Sequence, residues 1–380
     1  MTAWTVRTAE AAEARFALFP SMGEYQVYDD HVYDAFDAAD DRHRAYRDAI
    51  RAVAHGRVVV DIGTGRDALW AIEAAHAGAR HVYAIESDDA TAGRADEAVA
   101  AAGLTDRVTV LPGHSCELTI PVRAEICVSE IVGNIATAEG AIPILNDARL
   151  RLCTPDCIWI PFRMQTWAAA VDLSGHADLA LADSAVRYLH AIFDSAGGPF
   201  DPRLCLAGPA EEVLISSCTA VESVTFETPA PAFFDPDQAP APAFFDPDQA
   251  PAPAPVDAEP RPAGPPADGR SEAELRIAAD TTMTGVLLWA RVAVSQRGGR
   301  EVDTLHGDTR AWAPVYVPLP SPLAVTAGEH VTITLARTTS DDGIHPDYEL
   351  AVDGSVAWRG PHHGGPFRGS DFYRQLFHSS

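Results

Sequence analysis

The spacing of apolar positions changes near residue 56 and again beyond residue 170. Between residues 24 and 55, Tyr25, Tyr28, Val32, Phe36, Tyr46 and Ile50 recur at roughly helical spacing among charges, which predicts one or two amphipathic helices. VVVDIG (58–63) is then a short β-branched run ending in glycine, followed by a helical pattern over 67–79. HVYAIES (81–87), RVTVLPG (107–113) and EICVSEI (125–131) predict three more buried strands, with helices running through Ala102 and over about 140–152. Such alternation implies a doubly wound parallel sheet. CIWIPFRMQTWAAAV (157–171) adds strands, and 181–195 is helical in pattern. Segments 212–228, 274–296 and 312–357 alternate as strands do. The expected fold is therefore α/β. N-terminal helices cover 1–55, a Rossmann-like unit 56–160, and a β-barrel-like unit 161–380 with a Pro-rich insertion at 229–269.

That insertion repeats PAPAFFDPDQA in tandem over 229–250, and proline at this density forbids a helix. An extended surface insertion is expected. The net charge of −26 argues against a nucleic-acid backbone as partner and is compatible with a cationic one. All 28 basic residues are Arg, a bias that reads as a GC-rich coding sequence. The six cysteines show no CxxC pairing, and Cys153 and Cys157 fall in a core-like segment, so no metal site is expected. Neither a leader pattern nor an apolar run of the ~18 residues a membrane helix needs is seen, which predicts a cytoplasmic protein acting away from membranes.

Chemistry gathers at predicted strand ends. Asp61, Gly63 and Gly65 close the first strand, where glycine lets the backbone turn and a ligand approach. Glu86 ends the second strand 21 residues beyond Gly65, placed to accept hydrogen bonds from ribose hydroxyls. A nicotinamide dinucleotide would share that acid. The frame Gly63–Thr64–Gly65–Arg66–Asp67–Ala68, however, lacks a third glycine, and Asp67 at the helix start would repel a pyrophosphate. S-adenosyl-L-methionine is the cofactor this favours.

The fourth strand runs into SEIVGNIATAEGAI (129–142), where Glu130 and Glu139 stand nine residues apart. Two converging carboxylates make a charge-assisted clamp for a planar guanidinium. A sulfonium and a guanidinium repel by roughly 4 kcal/mol at ~4 Å and an effective dielectric of about 20, so the acids have work to do. They can also aim one nitrogen along the S–CH3 bond.

VVVDIGTGRD, HVYAIES, RVTVLPG, SEIVGNIATAEG and IPILNDARLRL together resemble the protein arginine methyltransferases in order and spacing, best over about 24–170. The resemblance implies catalytic Glu130 and Glu139, and Arg42 as the grip on the cofactor carboxylate. It adds Ser115 and Cys116 to Asp61, Gly63, Gly65 and Glu86 as cofactor contacts, and Tyr28, Tyr33 and Trp312 as substrate contacts. It also implies a barrel and a homodimer formed through a helical arm, here reduced to 174–203. Two departures stand out: Asp67 occupies the third-glycine position, and Ala311 replaces the histidine of the family's Thr-His-Trp loop, seen here as 309–312. The implied substrate is a small guanidino compound such as free arginine, or an arginine-containing peptide. Two other classes compete: methyl transfer to a non-guanidino acceptor with Glu139 as general base, and a non-catalytic binding protein using the Pro-rich arm.

Overall fold

The computed structural model describes residues 4–10, 14–25, 27, 29–30, 33, 40–176, 179–226, 267–296, 301–308 and 311–379. Tyr28, Thr309, Arg310 and nearly all of the Pro-rich tract lie outside them.

Five parallel strands form the first unit in the order β6–β5–β4–β7–β8. They are β4 (Val58–Ile62), β5 (His81–Glu86), β6 (Val108–Pro112), β7 (Ala124–Ser129) and β8 (Cys153–Ile160). Every residue of β4 is buried, which is why its run is continuously apolar apart from Asp61. The strand order reverses direction between β4 and β7, so their carboxyl ends open a crevice. Helices Leu69–His76, Asp89–Ala101 and Ala141–Arg151 make the crossovers.

Helix Asp41–Val53 begins at Asp40, whose carboxylate accepts the His43 N–H at 2.9 Å. Its buried residues, Arg42, His43, Ala45, Tyr46, Ala49 and Ile50, follow one helical face. Tyr46 stacks on Trp70 at 4.9 Å, and its hydroxyl donates to the Ser129 carbonyl. The helix is thereby seated on the end of β7.

The second unit is built of a nine-stranded mixed sheet and a four-stranded antiparallel sheet (β13–β17–β18–β19) around one apolar core. In the latter, β13 is Gly269–Arg276, β17 His330–Thr339, β18 Pro346–Val352 and β19 Ser355–Gly360. The expectation of helices throughout 1–55 is corrected here. Residues Trp4–Val6 (β1), Thr8–Ala9 (β2) and Ala17–Pro20 (β3) are strands, and β3 sits in the nine-stranded sheet beside Leu204–Ala207. Ala17 and Leu18 are buried there, so burial in a sheet outweighs the helical composition around them.

The reduced arm also needs correction. Segment 174–203 contains helix Val186–Ser195, but Tyr188, Leu189, Ile192 and Phe193 turn into the chain's own core, with Phe193 against Phe200 and Phe377. Its apolar stripe is spent within the protomer. No helix among the described residues is long and apolar enough to cross a membrane.

Candidate active site

The turn after β4 carries two positive-φ glycines, Gly63 (+74°) and Gly65 (+67°). A Cβ on Gly63 would come within 3.0 Å of Ile131, so the turn is packed as well as conformationally specified. Asp67 stands at the third-glycine position, and the next residue, Ala68, takes φ +44° and opens helix Leu69–His76. Gly65 donates its N–H to Glu86 Oε2 at 2.9 Å, which joins the ends of β4 and β5. Asp61 is fully buried. Its Oδ2 accepts from the Thr64 hydroxyl at 2.6 Å, while its Oδ1 has no hydrogen-bond partner.

Burial pushes the Asp61 carboxyl up to about 7. The folded chain then keeps this proton up to about pH 7, whereas an unfolded aspartate releases it near 4. Asp61 therefore contributes most to stability below about pH 4, and that contribution is lost as pH climbs to about 7. Asp61→Asn is expected to raise Tm relative to the parent by a few degrees at pH 8 and by little at pH 5. A difference that is flat across this range in thermal scans would show that the carboxyl titrates normally.

Beyond β6, Ser115 and Cys116 lie on a turn held by Arg151. The Arg151 guanidinium donates to the carbonyls of Ser115 (2.6 Å) and Leu118 (2.7 Å). Ser115 is buried and Cys116 half-buried, its thiol pushed up to about 11 by burial. Tyr33, expected at the substrate, instead lies over the glycine turn. Its ring is 3.4 Å from a Cβ built on Gly65, and the Arg66 guanidinium lies 5.0 Å from its centroid. Burial and nearby Glu86 push its phenol up to about 12.

Glu130 follows β7 directly and is nearly buried. One oxygen accepts from the Arg42 guanidinium, the other from the Trp70 indole N–H at 2.7 Å. The expected cofactor grip and the first expected clamp acid are thus in contact, and Arg42 also lies 3.8 Å from Asp40.

The loop from Glu130 to Glu139 is held almost residue by residue. Asn134 accepts from the Ser21 hydroxyl at 2.7 Å and donates to the Ala313 carbonyl at 2.7 Å. The Ile135 N–H donates to Glu24 at 3.0 Å, and the Ala136 N–H to the Thr166 hydroxyl at 3.1 Å. The Thr137 hydroxyl donates to Glu222 at 2.7 Å. Glu24 in turn pairs with Arg203 at 3.2 Å, and both side chains are 0% exposed. Arg203 reaches on to the carbonyls of Pro346 and Gly360. Glu139 is partly exposed at the far end of this loop, before Gly140 (φ +76°), which abuts Ile344.

Trp312 is 2% exposed and joins the apolar core of the parallel-sheet unit, so packing is its visible role. Sequence reasoning missed Glu24, Arg203, Asn134 and Trp70. A buried Arg has no local signature; Glu24, Arg203 and Trp70 act on the loop from far along the chain, and Asn134, within it, is identified only by its distant partners Ser21 and Ala313.

No protein-family model matches the chain. It is 31% identical over 179 residues to a probable protein arginine N-methyltransferase 6 of Arabidopsis thaliana, covering 46% of this chain and 37% of that one. It is likewise 31% identical over 158 residues to protein arginine N-methyltransferase 1 of Schizosaccharomyces pombe, covering 40% and 44% respectively. The matched segments span less than half the length of these relatives. The Trypanosoma brucei PRMT1 enzyme–prozyme complex with AdoHcy superimposes with a TM-score of 0.57 at 18% identity, covering 82% of this chain and 89% of that one. Arabidopsis thaliana protein arginine methyltransferase 10 does so at 0.57 and 17%, covering 87% and 95%. The chain has the fold of the protein arginine methyltransferases and is a sequence relative of them.

Proposed function

We propose that the protein is an S-adenosyl-L-methionine-dependent N-methyltransferase acting on a guanidino nitrogen. The observation that carries this reading is Glu130. In its nearly buried position this carboxylate already binds a guanidinium, that of Arg42, while Trp70 fixes its second oxygen.

The residues present fit the cofactor. Gly63 and Gly65 open the carboxyl edge of β4, Asp61 has an unpartnered buried oxygen there, and Glu86 closes β5 beside them. When bound, the cofactor supplies a sulfonium methyl group. Arg42 is the cation at hand for its carboxylate, and Ser115 and Cys116 border the crevice from β6. Tyr33, over Gly65, belongs in this reading to the cofactor side.

The chain's own contribution is then orientation and charge. Glu130 and Glu139 receive the substrate guanidinium and offset its repulsion from the sulfonium. The attacked nitrogen gains a methyl group and sheds one proton, for which Glu139 is the acceptor we assign. The rigid loop between the acids keeps their spacing constant, which is what near-attack geometry requires. The absence of a disulfide among the six cysteines accords with a reducing, cytoplasmic setting. Assembly as a homodimer is proposed from kinship alone, since helix Val186–Ser195 is committed to its own core.

The test is methyl transfer from labelled S-adenosyl-L-methionine, offered free arginine, an arginine-rich peptide and a guanidine-free amine in parallel. Label on free arginine alone assigns a small guanidino substrate. Label on the peptide alone assigns a protein-type one. Label on the amine only would overturn guanidino transfer.

A further inference from the structure

The turn between β17 and β18 and the segment just after β19 come together at one end of the four-stranded sheet. Asp342 Oδ1 there is saturated, accepting the Ile344 N–H (2.8 Å), the His345 N–H (2.9 Å) and the Ser340 hydroxyl (2.8 Å). Its Oδ2 faces three imidazoles: His345 Nδ1 at 2.6 Å, His363 Nε2 at 3.4 Å and His362 Nε2 at 3.8 Å. The rings of His345 and His362 lie parallel, centroids 3.9 Å apart. His362 is 3% exposed and its Nδ1 has no hydrogen-bond partner.

A hydrogen-bond network accounts poorly for this arrangement. One carboxylate oxygen cannot bond well to three ring nitrogens, and stacking two imidazoles disfavours protonating both. A cation resolves the geometry. The donor atoms of Asp342, His345 and His362 all lie within 4.8 Å of one another, so small side-chain movements would bring them around one ion. Imidazole nitrogen with a single carboxylate is a donor set for zinc-class ions, whereas calcium and magnesium take oxygen.

We propose that Asp342, His345 and His362 form a binding site for a divalent zinc-class cation, with His363 or water completing the coordination. The site is structural. Ile344, inside the same turn, packs against Gly140 next to Glu139, and Arg203 holds Pro346 and Gly360 on either side. A bound ion fixes this turn against the loop that carries the paired acids. The inference stands independently of the methyl-transfer reading.

The full-length chain, stripped with chelator, is titrated with Zn2+ or Co2+, with Mg2+ as control. One equivalent per chain is expected, with a visible ligand-field band for Co2+ and a higher Tm with Zn2+ but not Mg2+. His345→Ala and His362→Gln should each weaken binding by at least about tenfold and remove the Co2+ band. His330→Ala, on the exposed pair with Glu274, should leave both unchanged. If buried His362→Gln does not fold, His345→Ala carries the test. No saturable equivalent in the parent chain, or parental Zn2+ affinity in His345→Ala, overturns the site.

Discussion

Replacing Glu130 by glutamine is expected to lower kcat about a thousandfold, near 4 kcal/mol of transition-state stabilisation. The carboxamide keeps the shape and can still accept from Trp70, but it loses the charge that meets a guanidinium. Cofactor affinity should respond too, because Glu130 is also the partner of Arg42. Without that carboxylate Arg42 loses its shorter acidic partner and keeps Asp40 at 3.8 Å, so a carboxylate-bearing cofactor should bind more tightly. Glu139→Gln should lower kcat comparably with little change in cofactor affinity. Single-turnover kinetics and calorimetric titration of S-adenosyl-L-homocysteine separate the two effects. Unchanged turnover in either variant would remove the clamp from the mechanism. Unchanged affinity in Glu130→Gln would show that Arg42 takes no part in holding the cofactor.

The second large effect concerns stability. Arg203→Met should cost about 3–5 kcal/mol, because it leaves the carboxylate of Glu24 buried with a lone backbone N–H for company. Glu24→Gln strands the guanidinium and should cost a similar amount. The double variant should recover much of the loss, since neither charge then remains alone. Urea unfolding midpoints of the four proteins complete the cycle. Single variants within about 1 kcal/mol of the parent would mean the pair behaves as a solvated surface bridge.

How much of this the sequence announces depends on how far each signal travels. Strands β4, β5 and β7 were legible because each is a short, β-branched and almost wholly buried run, with a functional residue at or beside its end. Asp61, Glu86 and Glu130 could therefore be picked out from local pattern. Helix Val186–Ser195 was legible as a helix, but periodicity says only that a stripe is buried, not against what. A reduced arm was expected over 174–203, and its helix Val186–Ser195 buries Tyr188, Leu189, Ile192 and Phe193 within the chain. The strands before residue 21 were hidden because they are too short to set a period, and partners from residue 180 onward hold them in place. Glu24 reaches the acid loop across 111 positions, and the histidine cluster depends on two separate turns, so neither leaves a local trace. The role expected of Trp312 came from motif alignment, which is blind to whether a ring faces a cleft or a core.

The pairing of β1 with Phe377–Ser379 (β20) brings the first and last strands of the structure side by side. A chain emerging from the ribosome can close the parallel sheet once residue 160 is out. The segment around Ser21 and Glu24, by contrast, must wait for Ala313, Pro346 and Gly360 before the acid loop is braced from every side. Two timescales follow: early closure of the crevice between β4 and β7, and a later step limited by contacts of long sequence separation. Because β1 and β20 adjoin, a permutant in which a short linker joins Ser379 to Trp4 and the chain is opened between Phe226 and Ala267 keeps every strand pairing described here.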